Sequence, residues 1–326
     1  MTPLIASSPR PSVAIPESHH WYRADGSPQY ESPLAKKAAD GRETTPTTIR
    51  HARQVLAETG TGLFPSVTTI AKQALPLSHN VINWLNDLAV SVSLDVCVEH
   101  LRPGVVERGF DQRSTWNPPP REQLEAMIAD EFRARRTSQA DRGTLIHAEV
   151  ETYYQGGEVD LPDDPAALKA VEQITRQLVR MATPQCEVPF ASVLGWAGKC
   201  DLLIPNDDIP TWTLADLKCP NTKSWMRFKD ELAKGRGPYD EYGIQLAAYR
   251  AGLAQPRPDM KCERRVITRC VSILVDGGED SETAGECLFY EWPHDTLLRF
   301  GRVFARAFEN WVELRGYDPR PEDKEE

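Results

Sequence analysis

From position 78 the apolar residues Val81, Trp84, Leu85, Leu88, Val92 and Val96 recur at steps of three and four. That spacing places them on one face of a helix, which Ser78 can cap. Pro118-Pro119-Pro120 interrupts the pattern. A polar, arginine-rich helix is predicted from about 121 to 137, and a second one from Gly143, with Ile146, Val150 and Tyr153 on its apolar side. Asp164 and Pro165 suit an N-cap and a first helical turn, and the helix they open turns Leu168, Val171, Leu178 and Met181 inward.

At Pro184 the pattern changes to short β-rich stretches. CEVPFASV, GWAGKCDLLI and TWTLADLK, separated by glycine or by PNDDIP, predict a meander of three strands. A helix over 239 to 253 follows, carrying Ile244, Ala248 and Ala251, and ERRVITRCVSILV and ECLFYEW predict two more strands. After Pro293, Leu297, Gly301, Phe304, Phe308 and Trp311 stripe a last helix. Eight prolines fall in the first 65 residues. Residues 1–18 are therefore expected to be a flexible tail, and 19 to 70, with His20-Trp21-Tyr22 and Leu63-Phe64, to lie partly ordered against the body. The expected organisation is that tail, an arm and helical wall over 19–140, an α/β core over 141–315 and an acidic tail over 316–326.

Composition narrows the class. The chain has 326 residues and no apolar run long enough to span a membrane, and its first residues lack the order of a secretory signal. A soluble, cytoplasmic protein without a membrane partner is expected. Seven cysteines, at 97, 186, 200, 219, 262, 270 and 287, form no CxxC pair and read as reduced, mostly buried thiols. Lys and Arg total 38 against 48 Asp and Glu, a formal charge of −10 that argues against a nucleic-acid partner on composition alone.

The candidate chemistry lies in the meander. Asp216-Leu217-Lys218 ends a strand, so alternation puts Asp216 and Lys218 on one face and Leu217 on the other. If PNDDIP joins a hairpin pairing Ile204 with Thr211, Asp201 shares that face. Two carboxylates from neighbouring strands beside a lysine suit a divalent metal held against a phosphate. Acidic-x-Lys also occurs at Asp259-Met260-Lys261 and Glu322-Asp323-Lys324, so the spacing alone does not identify a site. His147 and Glu151 are four apart on one helix face, and so are Gln245 and Tyr249. Taken singly, His147 also fits a core histidine, and Gln245 and Tyr249 a helix shoulder packed on the sheet. HAEVE lacks the second histidine of a HExxH zinc site.

In their order, GTxxH, ExPF from Glu187, GxxD, DLK and QxxxY, these residues resemble the PD-(D/E)XK nuclease superfamily, in particular its RecB-like and phage exonuclease branch. HWYRADGSPQYE, PTTIRHAR and LFPSVTTI are similar to the amino-terminal portion of its phage-encoded exonucleases, so the resemblance covers about residues 20 to 315. It implies a restriction-endonuclease-like core, a mixed central sheet of about five strands flanked by helices, with a helical N-terminal extension. It implies that Asp201 and Asp216 ligate Mg²⁺ or Mn²⁺ with the Leu217 carbonyl, that His147 is a further ligand, and that Glu187 tunes a metal or its water. Lys218 would orient or deprotonate the attacking water. Gln245 and Tyr249 would brace Lys218 or contact the DNA backbone, and Glu151 would fix the His147 tautomer. Some relatives carry a four-cysteine iron–sulfur cluster; the cysteines for it are missing near the carboxyl end, so none is implied.

The activity implied is metal-dependent exonuclease action on DNA in phage or prophage recombination or repair, in a bacterial or phage-infected cytoplasm, with a single-strand annealing or recombinase protein as partner. A structure-specific or sequence-specific endonuclease on the same core, a catalytically silent nucleic-acid-binding member and a hydrolase of small phosphoesters are the alternatives. Ser66, Thr68 and Thr69 are candidates to line a DNA channel, or belong to a β segment packing the arm onto the body. Arg136, Arg142 and Lys223 are further channel candidates. The charge objection weakens on inspection: GGEVDLPDDP, DGGEDSETAGE and EDKEE hold much of the acid, while Arg133, Arg135, Arg136 and Arg142, and then Lys218, Lys223, Arg227, Lys229, Lys234 and Arg236, flank the candidate motifs. A positive channel on a negative body is expected.

Overall fold

The computed structural model describes residues 20–34, 41–75, 79–101, 119–155, 164–179, 183–206, 209–258, 264–278 and 281–320. The arm begins with β1 (Trp21–Tyr22), β2 (Glu31–Pro33) and β3 (Thr44–Pro46), then α1 (Ile49–Thr59), β4 (Phe64–Pro65) and α2 (Val67–Ala74). α3 (His79–Leu101) and α4 (Arg121–Gln155) form the helical extension, and α5 (Pro165–Leu178) follows. The core strands are β5 (Gln185–Ala191), β6 (Ala197–Pro205) and β7 (Trp212–Lys218). α6 (Thr222–Ala233) and α7 (Asp240–Ala254) lead to β8 (Ile267–Val275), β9 (Cys287–Glu291) and α8 (His294–Arg315).

The sheet runs β5-β6-β7-β8-β9, antiparallel except for the β7–β8 pair. A parallel pair needs a crossover, which α6 and α7 supply. This is the expected mixed α/β architecture of five strands flanked by helices. One face packs on α2, α7, α8 and the arm through Phe64, Ile70, Leu214, Leu246, Phe304 and Trp311. The other packs on α4 and α5 through Ile146, Val150, Val171, Ile174, Leu217 and Ile273. The described arm packs on the body: Trp21 lies against Trp311 and Tyr317, and the Tyr317 hydroxyl donates to the Leu63 carbonyl at 2.7 Å.

Several expectations are corrected. The helices predicted over 121–137 and from Gly143 are one continuous α4, because no residue between them breaks a helix and Gly143 within a helix costs only about 1 kcal/mol. The boundary expected at 140 falls inside it. α6 was not predicted; its apolar positions Trp225, Phe228 and Leu232 are few among charged neighbours. In PSVTTI the β segment extends only through Pro65 and a bridge from Ser66 to Ala197, after which α2, capped by Ser66, begins. Val92 and Val96 are buried on α3 as expected. Ser78, Pro118 and Met181 lie outside the described residues, as do the side chains of Val81, Trp84 and Leu85.

Six cysteines are free. Burial pushes the thiols of Cys186, Cys219, Cys270 and Cys287 up to about 12, so they are unreactive near neutrality; Cys262 lies outside the described residues. No helix among the described residues is long and apolar enough to cross a membrane.

Candidate metal centre

Side chains of a regular strand alternate between faces, so residues two apart share a side. β5 breaks this rule: Val188 packs toward α7, whereas Cys186 packs toward α4 and α5. Between them Glu187 has a left-handed backbone, φ 51°, alone among the described non-glycine residues. β6 breaks it beside this point, with Cys200 on the α7 side and Leu202 on the other. The flanking pairs Cys186–Leu202 and Val188–Cys200 set Glu187 opposite Asp201. The two acidic residues thus occupy the place where both strands change phase. A left-handed, non-glycine residue costs of order 1–3 kcal/mol, and such strain concentrates at functional sites. Lys199 pairs with the Glu187 carboxylate and holds it in place.

The neighbouring ladder positions Asp201. Ile204 pairs with Thr213, not with Thr211 as expected; the shift of two residues preserves parity. β6–β7 pairing ends at Leu202–Ala215, and one residue further Asp201 Oδ2 accepts the Leu217 N–H at 2.7 Å. The carboxylate therefore substitutes for a backbone acceptor at the strand ends.

α4 brings the imidazole. Ile146 and Val150 are buried under it, and His147 places Nδ1 3.8 Å from Asp201 Oδ2. Burial, then the Lys218 cation, hold the His147 pKa below its ordinary value against the opposing pull of Asp216, Glu187 and the nearby Leu217 backbone. A neutral imidazole, the form that ligates metals, results. His147, Glu187 and Asp201 each offer a ligand atom within 4.8 Å of the others.

Asp216 lies deeper, 1% exposed, on the α7 side. Gln245 Nε2 donates to Asp216 Oδ1 at 3.1 Å and to the Tyr249 hydroxyl at 3.0 Å. Lys218 Nζ stands 2.6 Å from Asp216 Oδ2, yet no well-directed hydrogen bond reaches that buried oxygen. Burial pulls the Lys218 pKa down, but Asp216 and Asp201 outweigh it and the pKa is raised, so Lys218 is a cation at neutral pH. Burial, followed by repulsion from Asp216, pushes Asp201 well above the carboxylate range. Two mutually repelling carboxylates, Glu187 across from them and a neutral imidazole are a donor set that fits a hard divalent cation.

The remaining expected site residues divide. Gln245 braces Asp216 rather than Lys218, and Tyr249 is buried, its ring passing so close to β6 that a Cβ at Gly198 would lie 2.8 Å from it. Glu151 accepts from Gln155 at 2.6 Å, one turn further along α4, rather than from His147. Ser66 and Thr69 are buried in the α2 cap, where Ser66 Oγ accepts the Thr69 N–H, while Thr68, which bonds Ser66, is half-buried. Arg142 is taken up by Asp164, the N-cap of α5, so its charge is structural. Lys223 is exposed on α6. The side chains of Arg135 and Arg136 lie outside the described residues, as do 156–163 and 321–326. Sequence reasoning missed Lys199, a partner for Glu187 twelve residues away, and Tyr242, whose ring lies 5.6 Å from Lys218 Nζ. The i, i+3 spacing of Tyr239 and Tyr242 was the available signal for the latter.

No family model and no curated protein matches the chain. Among solved structures it is similar to a candidate exonuclease from Eubacterium rectale, at 16% identity and a TM-score of 0.35, over 59% of this chain and 74% of that one. It is also similar to an alkaline exonuclease from Laribacter hongkongensis, at 15% identity and a TM-score of 0.26, over 52% and 92% of the two chains. Similarity at this level transfers no residue role.

Proposed function

We propose that the chain is a divalent-metal-dependent deoxyribonuclease of the PD-(D/E)XK superfamily that cuts phosphodiester bonds from DNA ends. The observation that carries this reading is the convergence of His147, Glu187 and Asp201 beside the buried Asp216–Lys218 pair. His147, Asp201 and Glu187 would hold Mg²⁺ or Mn²⁺, with Asp216 beside them carrying Lys218. Such an ion supplies Lewis acidity toward a phosphodiester oxygen and eases ionisation of water.

The chain's own residues do the rest. Lys218, a cation kept by two carboxylates, donates to the attacking water and offsets negative charge growing on the phosphate. It orients rather than deprotonates that water, since its raised pKa makes it a poor base. Gln245 fixes the Asp216 rotamer, and Lys199 fixes Glu187. We place the enzyme in phage or prophage recombination or repair, in the cytoplasm, handing single strands to an annealing or recombinase protein.

Covalently closed circles separate end-dependent cutting from internal cutting. Incubated with Mg²⁺ or Mn²⁺, the protein should degrade linear DNA and spare the circle. Nicking of the circle at the same rate would assign an endonuclease instead.

A further inference from the structure

Among the described residues some arginines are matched by carboxylates, as Arg236 is by Glu231 and Arg269 by Glu291, whereas others rest on aromatic rings, as Arg265 does on Trp212 at 4.2 Å and Arg257 on Phe64 at 5.1 Å. Arg227 on α6 belongs to the second group and is the one beside the site. Its guanidinium lies 4.8 Å over the Tyr239 ring, donates to the Tyr239 hydroxyl and approaches Phe228 at 5.5 Å. These partners fix the planar group without neutralising it. Glu231, one helical turn on, is bonded to Arg236 and paired with Lys234, and acts on Arg227 only through space.

The position continues the site. Lys218 Nζ stands 5.6 Å from the Tyr242 ring, Tyr242 meets Tyr239 edge-on at 5.6 Å, and Tyr239 carries Arg227. Trp225 and Phe228 are buried and anchor α6 on Leu274, whereas Tyr239 and Tyr242 are half-buried and Arg227 is exposed. Lys223, also exposed, is one helical turn before Arg227 on the same side. A protein of net charge −10 thus holds a guanidinium, braced by aromatic partners, at the end of a series of contacts that runs from Lys218 through Tyr242 and Tyr239. Fork-shaped guanidinium groups match phosphate geometry.

We propose that Arg227 is a phosphate-binding subsite for the strand being cut, engaging a backbone phosphate next to the scissile one. Tyr239 is its positioning residue. The inference rests on the proposed nuclease reading and adds to it the path by which the strand leaves Lys218.

The test is the salt dependence of binding to a fluorescein-labelled single-stranded oligothymidylate, with chelator present to prevent cutting. Each phosphate contact contributes about 0.7 to the slope of log K against log salt for single strands. Arg227→Ala should therefore flatten the slope by about 0.7 and weaken binding roughly fivefold at 0.1 M salt. Arg302→Ala, which removes an exposed arginine of α8, should leave the slope unchanged. Tyr239→Phe keeps the ring and the charge but removes the acceptor, so affinity should fall a few-fold at an unchanged slope. In cleavage, Arg227→Ala should raise KM more than it lowers kcat. A wild-type slope in Arg227→Ala, or an equal change in Arg302→Ala, overturns the subsite while wild-type cutting leaves the nuclease reading standing. Unaltered affinity in Tyr239→Phe also overturns the positioning claim. Wild-type protein that neither binds nor cuts DNA overturns both readings.

Discussion

Glu187 combines a strained backbone with a carboxylate, and the two properties can be measured apart. Glycine reaches positive φ freely, whereas alanine pays about 1–2 kcal/mol there. Glu187→Gly should therefore melt about 2 °C above Glu187→Ala, although both lose the carboxylate and both should lose activity. Equal melting temperatures would mean that the left-handed conformation is relaxed without cost. Asp201 gives a second residue-scale prediction. Its charged form is disfavoured by burial and by Asp216, so Asp201→Asn, which keeps an oxygen for the Leu217 N–H, should stabilise the metal-free protein by about 0.5–2 kcal/mol. Thermal melts in chelator check this; destabilisation would contradict the electrostatic account.

At the scale of elements, α4 and α5 are joined by one ion pair that is also a cap. Asp164 accepts the Ala166 and Ala167 N–H groups while it pairs with Arg142. Arg142 first, and then the cap bonds, hold its pKa below the usual value against the opposing effect of burial. Because the folded pKa is depressed, this contribution is complete above the unfolded value of about 4 and is lost as pH falls through the folded one. Asp164→Asn should flatten the acid side of the stability curve below pH 5, and Asp164→Ala should also cost about 1 kcal/mol of capping at every pH. An acid limb identical to wild type in Asp164→Asn would remove this role.

The same scale shows what could be read from the chain. α5 and α8 have an apolar stripe and a proline or acidic start, and α7 an acidic start before a run of small and apolar residues buried nearly all round, so their positions were legible, and so were the five core strands. α6 was not, because Trp225 and Phe228 bury a narrow seam under a helix whose other faces are charged. The DLK strand end and the GTxxH helix led to Asp216, Lys218 and His147. The way Asp201 arrives was not legible, because strand alternation assumes an unbroken phase and the switch at Glu187 and Asp201 depends on one left-handed residue. The hydroxyls of Ser66 and Thr69 were ambiguous for a related reason: capping, which is what Ser66 does, and nucleic-acid contact favour the same residue types.

For the whole molecule, charge is distributed by place rather than by total. Glu187, Asp201 and Asp216 converge in the site with only Lys199 and Lys218 against them among the described residues, and an ion there relieves the repulsion that burial sharpens at Asp201. Mn²⁺ or Mg²⁺ at 100 times its dissociation constant should raise stability by about 2.7 kcal/mol, roughly 5 °C, in wild-type protein. Asp201→Asn should lose most of that gain. A shift of equal size in the variant would place the ion elsewhere.

The most direct test of the central claim is the rate at which end-labelled linear DNA is degraded in Mn²⁺ by wild-type protein and by Lys218→Met. Wild type should degrade it, and the variant should be about 10²–10³-fold slower with an unchanged fold by circular dichroism. A folded Lys218→Met that cuts at the wild-type rate, or a wild-type protein inactive in both Mn²⁺ and Mg²⁺, would contradict the account.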